Sequence, residues 1–482
     1  MNKLHARRLA LTAIPLLALL CACGGGGGSS DSSTSTGSTK TLVSLAVTPA
    51  NSTLAVGATK TYTATGTYSD ATTAALTTGI TWSTGGTLTT VGASTGIVTA
   101  VAVGAETVKA TSGTISASTA LTVRGPWAPS VAAGSTHTVA RRADGTVTSG
   151  AVTSGTVYAW GWNRSGQLGD ATTVDKTTPT LVNTVTTWTQ VAAGEFHTIA
   201  LRADGSLWGW GFNQNGQLGD GTTIDKTVPT RIGTVSTWAF VAAGKSHTLA
   251  IRTDGSLWAW GRNFDGELGD GTTVDKLVPT RIGTALNWST AAGGDTHSVA
   301  RRKDGSLWTW GGNSNGQIGD GSTAASLVPK QIGTSTWVAV AAGSSHSAAI
   351  RADGALFTWG DNSNGQLGLS NEIDQLAPAQ VGSASNWAIL AAGGAFTLAL
   401  KADNTLWTWG ANADGELGDG TQIDTATPKQ IGSVANWIAI AAGNTHAIGV
   451  QGDGTLWVWG RNLEGQLGNG TLISLSVPTN LP

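Results

Sequence analysis

The sequence predicts an all-β protein built as a small β-sandwich followed by a seven-bladed β-propeller whose ring is closed by pairing of its N- and C-terminal strands. Three observations carry that prediction. The 482 residues include 68 Gly and 21 Trp with only 12% charged residues, a turn-dense composition far from that of a helical protein. Between residues 41 and 124, apolar and polar residues alternate in short runs. From residue 125 onward the chain repeats itself at a period near 50.

The repeat follows from the landmarks His197, His247, His297, His346, Phe396 and His446, spaced 50, 50, 49, 50 and 50 residues apart, with His137 a further 60 upstream of His197. That makes seven units. A typical unit reads Trp238, then Val241-Ala242-Ala243-Gly244-x-x-His247-Thr248-x-Ala250, then Asp254-Gly255-Ser256-Leu257-Trp258-x-Trp260-Gly261-x-Asn263-x-x-Gly266-x-Leu268-Gly269-Asp270-Gly271, and finally Pro279. His-Thr-x-Ala and Leu-Trp-x-Trp-Gly are strand-like runs, and the Asp-Gly between them suits the positive φ of a tight hairpin. A lone meander leaves faces and edges open, so the units must pack on one another, and radial closure leaves few free edges. The unmatched Trp127 at the start and Pro478 at the end predict that Val477 to Pro482 pairs beside Trp127 to Gly134, so that both ends complete one blade and deleting the last residues opens the ring. This pattern, which covers 125–482, resembles the regulator-of-chromosome-condensation repeat.

In the segment 41–124, runs such as Leu42-Val43-Ser44-Leu45-Ala46-Val47, Gly96-Ile97-Val98-Thr99-Ala100 and Thr119-Ala120-Leu121-Thr122-Val123 have the period of half-buried strands. Val47-Thr48-Pro49, Leu54-Ala55-Val56-Gly57, Tyr68-Ser69-Asp70 and Ile80-Thr81-Trp82-Ser83 give it a resemblance to the group-2 bacterial immunoglobulin-like domain. Such modules serve as spacers or adhesive units on bacterial surfaces, and Trp82 is expected in the core.

The N-terminus assigns a compartment. Lys3, Arg7 and Arg8 precede the apolar stretch Leu9 to Leu20, which is shorter than the roughly 20 residues a spanning helix needs. Residues 1–22 read as a signal peptide, and Leu20-Cys21-Ala22-Cys23 resembles the bacterial lipobox. Cys23 is the expected lipidation site, because cleavage there leaves small Ala22 rather than bulky Leu20 before the cut; ordinary secretion after an Ala is the alternative. After acylation the mature chain holds no free thiol, so disulfides and cysteine-based metal sites or nucleophiles drop out. Residues 23–40, rich in Gly, Ser and Thr, form a flexible tether. Gly rather than Asp after Cys23 implies, by resemblance to known sorting rules, release to the outer membrane, where surface exposure is open to it.

The residues speak against chemistry. Six of the seven histidines occupy one repeat position, which marks a scaffold part; each imidazole is expected to hydrogen-bond backbone within its own blade, and Phe396 shows that an apolar ring substitutes. The Trp pairs, such as Trp208 with Trp210, lie on one side of a strand and are expected to fill the layers between blades. Asp265-Gly266-Glu267 with Asp270, and Asp414-Gly415-Glu416 with Asp419, read as turns, with weak calcium binding as the alternative. No Gly-x-x-x-x-Gly-Lys-Ser/Thr phosphate-cradling loop is present. No catalytic residue, metal or cofactor is expected, and a net charge of −2 offers no basic field for nucleic acid.

Function is sought in what varies. In a meander the Gly-x-x-His turn and the loop after Trp-Gly share one face, with the Asp-Gly turns on the other. After Trp-Gly the units carry Trp162, Phe212, Arg262, Gly312, Asp361, Ala411 and Arg461, with Phe264 and Leu463 two positions further on. Ring closure places Arg461, Trp162, Phe212, Arg262 and Phe264 on four adjacent blades, with Glu195 and Lys245 beside them, as the candidate partner-binding arc. The ten extra residues of the first unit, before Tyr158, read as an elongated hairpin, and Leu369-Ser370-Asn371-Glu372 replaces the usual loop in the fifth. The family resemblance implies contrasting uses: nucleotide exchange on a small GTPase and chromatin binding by its nuclear founder, and enzyme inhibition by a secreted bacterial relative. An exported lipoprotein suits the second kind. The expectation is a non-enzymatic envelope-anchored module that binds a protein or glycan, touches the membrane through the lipid, and meets neither nucleic acid nor a small GTPase. The alternatives are a purely structural surface protein and a polysaccharide-acting enzyme.

Overall fold

The computed structural model of the chain describes residues 40–144, 147–148 and 151–481. The signal peptide, Cys23 and nearly all of the tether lie outside the described residues. Every regular element among those described is a β-strand.

In the N-terminal domain, Leu42–Thr48, Thr63–Tyr68 and Thr73–Leu76 form one antiparallel sheet. A second sheet runs Ser52–Ala55, Ile115–Arg124, Gly104–Ser112, Thr81–Thr84, with its first pair parallel. The alternation read from the sequence becomes burial: Thr119, Leu121 and Val123 point inward while Ala120 and Thr122 face solvent. Trp82 joins Tyr62, Val98 and Leu121 in the core, as expected.

The remaining chain forms seven four-stranded antiparallel sheets, each made of strands consecutive in sequence. The second blade runs Trp188–Ala193, His197–Arg202, Leu207–Gly211 and Lys226–Arg231, from the ring's centre outward. Outer strands carry the prolines, such as Pro229, which cannot donate to a neighbouring ladder and so blunt each exposed edge. The extra residues of the first unit do form a hairpin, Val147–Thr148 with Ala151–Val152.

The ring closes differently from the sequence expectation. Leu475–Leu481 pairs with Leu456–Gly460 at the outer edge of the last blade, and Trp127–Ala133 pairs with His137–Arg142 in the first. The unit that starts at Trp and ends at Pro is itself a whole blade, so no strand is left to exchange. The seam instead repeats the ordinary contact between blades. Trp127 N–H donates to Gly454 O at 2.9 Å, just as Trp188 donates to Gly155 O at 3.2 Å and Trp238 to Gly205 O at 3.1 Å.

The histidines also act between blades rather than within them. The Nε2 atoms of His137, His197, His247, His297 and His346 lie 2.9–3.2 Å from the hydroxyls of Thr198, Thr248, Ser298, Ser347 and Thr397 on the next blade. Each hydroxyl donates onward to a loop carbonyl, as Thr248 does to Gln217 O at 2.8 Å. With its one proton spent there, the hydroxyl can only accept, so the imidazole is the neutral Nε2–H form. Burial lowers these histidines from 6.5 to about 3 or 4. The expected in-blade backbone bond is not formed: in the second blade the Cε1–Nδ1 edge of His197 packs against Gly194, where an added Cβ would lie 2.1 Å from Cε1, and this leaves Nε2 facing Thr248 of the next blade.

The tryptophan pairs divide their work. The second of each pair, such as Trp210 or Trp260, is fully buried. The first lies toward the rim, where Arg202 covers Trp208 at 3.8 Å and Arg252 covers Trp258 at 3.7 Å.

Candidate functional site

The face bearing the Gly-x-x-His turns is built from loops each tied together by one buried asparagine. In the second blade Asn213 Nδ2 donates to Asp220 Oδ1 at 3.1 Å and Thr222 O at 3.0 Å, while its Oδ1 accepts from Leu218 N at 2.9 Å. Its backbone N–H donates to Asp225 Oδ1 at 2.8 Å. The residue just before this hub is therefore displayed in a fixed position. Gly211, at φ +97°, makes the bend that turns it outward, where a Cβ would meet Phe196 O at 2.6 Å.

Trp162 and Phe212 are displayed in this way, half-buried, on the first and second blades. Their N–H groups donate to Thr136 O and Phe196 O, at 3.0 and 2.8 Å, which joins the two loop types on one face as expected. Between them stands Phe196, which sequence reasoning missed. Its ring centre is 4.7 Å from that of Trp162 and 6.4 Å from that of Phe212. The signal was available: the other blades carry Thr136, Ser246, Thr296, Ser345, Ala395 and Thr445 at this position.

The two arginines of the arc are engaged by their own loops. Arg262 reaches Asp265 at 2.8 Å and Glu267 at 2.6 Å. Glu267 is fully buried, and that burial raises its carboxyl, opposed by the adjacent guanidinium. Arg461 pairs with Glu464 at 3.0 Å and approaches Asp414 of the preceding blade at 3.9 Å. Phe264 stands 72% exposed, 5.6 Å from the Arg262 guanidinium. In the acidic loops Asp270 takes Asn263, Thr272 and Lys276, and Asp419 takes the matching Asn412 and Thr421 together with Lys429, which comes from a later position in the outer strand. These carboxylates are occupied as turn and ion-pair groups.

Glu195 and Lys245 sit at the mouth of the central channel, a cavity of about 380 Å3 walled by the Ala-Ala-Gly segments of the innermost strands. Lys245 is paired with Asp295 at 3.1 Å. Burial raises the Glu195 carboxyl, which the charge of Lys245 only partly offsets. The structure thus gathers Trp162 and Phe212 with Phe196 into one shelf, puts Glu195 and Lys245 on the channel rim, and ties Arg262 and Arg461 into their loops.

Comparison with known proteins agrees with this architecture. The description RCC1-like domain matches residues 236–482, and that of the regulator of chromosome condensation repeat matches 154–201 and 204–251. The bacterial Ig-like domain, group 2, matches 43–123. Over 85 residues in the Ig-like region, 18% of the chain, it is 44% identical to ice-binding protein 1 of Shewanella frigidimarina, of whose length the chain spans only 10%. Human WBSCR16 superposes with a TM-score of 0.62 at 22% identity, covering 68% of this chain and 94% of that one. Prp20p of Saccharomyces cerevisiae, a protein described with binding properties to Gsp1p and histones, gives 0.60 at 23% identity, covering 68% and 86%.

Proposed function

The chain belongs to the RCC1-like domain family, and from that premise we propose that it is a non-enzymatic binding or adhesion module, anchored in the cell envelope by a lipid on Cys23, which recognises a protein through the Trp162–Phe196–Phe212 shelf. The observation that carries the reading is that cluster of three rings, confined to one sector of a ring whose other five blades place Arg262, Gly312, Asp361, Ala411 and Arg461, none of them aromatic, at the position of Trp162. Aromatic side chains that pack on one another while staying part-exposed are suited to anchoring an interface, since they offer apolar area at small entropic cost. The bacterial Ig-like domain supports an exported location, and the order Leu20-Cys21-Ala22-Cys23 supports anchoring. The partners named for the yeast protein are not carried over, because likeness at 23% identity extends to the fold alone.

The test is crosslinking capture from envelope extract with the full chain and with a Trp162→Ala/Phe196→Ala/Phe212→Ala variant shown by thermal unfolding to be folded. A protein held by the parent and released by the variant is expected. Equal capture by both, or none by either, overturns the reading. Labelling with a fatty-acid analogue, lost in Cys23→Ser, checks the anchor.

A further inference from the structure

The channel mouth next to the aromatic shelf contains one carboxylate that makes no direct hydrogen bond or ion pair among the described residues, and the charge of nearby Lys245 offsets its burial only in part. The rim is formed by the residue after the glycine of each inner strand: Ser135, Glu195, Lys245, Asp295, Ser344, Gly394 and Asn444. Lys245 and Asp295 bond each other, and the others apart from Glu195 are neutral. Glu195 is half-buried, yet its carboxylate has no hydrogen bond or ion pair of its own among the described residues. Elsewhere on this face buried and part-buried acids have direct partners: Asp265 and Glu267 have Arg262, Glu464 has Arg461, Asp170 has Lys176, and Glu416, which has no ion pair, accepts from Asp414 N–H. A partly desolvated carboxylate left unpaired is costly, and groups held in that state cluster where something else is bound.

We propose that Glu195 receives a lysine or arginine side chain of the partner protein, inserted into the channel mouth while a neighbouring apolar side chain of the same partner loop lies on Trp162, Phe196 and Phe212. Below the rim the wall is Ala192, Ala193, Ala242 and Ala243, a smooth apolar lining that suits the aliphatic stem of such a residue. Phe196 follows Glu195 directly in the chain, so charge and shelf belong to one turn, and the next turn's backbone braces it, Glu195 N–H donating to Lys245 O at 2.9 Å. The proposal rests on the reading of this face as a protein-binding surface and adds the chemistry of the occupant.

The test uses the full chain, labelled at alanine methyl groups, and two capped peptides, Leu-Gly-Arg-Gly-Leu and its citrulline counterpart, which keeps the shape without the charge. Saturable shifts at Ala192, Ala193 and Ala243 are expected with the arginine peptide, weakened at least tenfold by citrulline and by Glu195→Gln. Because Glu195→Gln removes an unpaired charge and keeps its shape, its thermal unfolding should equal or exceed that of the parent; a lower midpoint shows a hidden structural role and overturns the proposal. No shift with either peptide, or equal shifts with both, overturns it too. Capture from envelope extract separates this failure from that of the underlying reading: a partner held equally by the parent and Glu195→Gln, but lost from the aromatic variant, leaves the shelf standing and removes only the basic side chain.

Discussion

His446 Nε2 lies 2.9 Å from Thr138 Oγ1, joining the last blade to the first across 308 residues of sequence. Thr138 Oγ1–H donates to Gln466 O at 2.7 Å, so toward His446 the imidazole donates and the hydroxyl accepts. Thr138→Val keeps the shape but leaves the buried Nε2–H without an acceptor, a loss expected at about 1–3 kcal/mol. Thermal or denaturant unfolding checks it. A variant as stable as the parent would show that the seam depends on apolar packing alone.

The sixth and seventh blades have already made a different choice. Phe396 stands where the others have histidine, and Ala447, in the same buried cluster, stands where the others have a hydroxyl. Both halves of the polar contact are absent together, which leaves no unsatisfied group. Phe396→His alone should therefore destabilise by about 1–3 kcal/mol, because it buries a donor opposite a methyl group. Adding Ala447→Thr should recover part of that loss. A double-mutant cycle in urea measures the coupling, and additive effects would refute it.

Some of this was legible beforehand. The landmarks from His197 to His446 give the number of blades, Asp-Gly gives the hairpins, and the alternation around Leu121 gives the sandwich core. What was misread concerns partners outside the repeat unit. Spacing shows that His137 recurs, but not that it faces Thr198 on the following blade, since only the ring brings residues 61 apart together. The cut between units was likewise ambiguous, because a period has no intrinsic start, and the seam was assigned a shared sheet that the chain does not form. Phe196 escaped notice as one of the two variable positions inside Gly-x-x-His. The engagement of Arg262 was hinted at by Glu267, which replaces the glutamine found in the equivalent place as Gln217 and Gln317.

Acidification should unfold the propeller through its histidines. They are lowered to about 3 or 4 in the folded protein, against 6.5 in the unfolded chain. The unfolded state therefore binds more protons, and stability is full above pH 6.5 and falls as the pH drops toward 4, by up to about 1.4 kcal/mol per pH unit for each histidine. Glu195, Glu267 and Glu416, all raised by burial, act in the opposite sense near the carboxylate range but are fewer. The midpoint of thermal unfolding, followed from pH 7 to 4, should fall steeply; a level profile would mean that the imidazoles are reached by protons in the native state.

Arg262 separates stability from recognition. Its guanidinium is the partner of Glu267, a carboxylate with no exposed surface, and removing one member of a buried pair leaves the other charge uncompensated. Arg262→Ala is expected to cost about 1–3 kcal/mol, the scale of a buried group stripped of its partner, so loss of binding by that variant alone would say nothing about the face. Glu267→Gln converts the third blade to the residue used at Gln217 and Gln317, and combining it with Arg262→Ala should restore most of the stability. Unfolding of the two single variants and the double variant decides the matter. If the double variant is no more stable than Arg262→Ala, the guanidinium holds the loop through Asp265 and its stacking near Phe264 rather than through the buried charge.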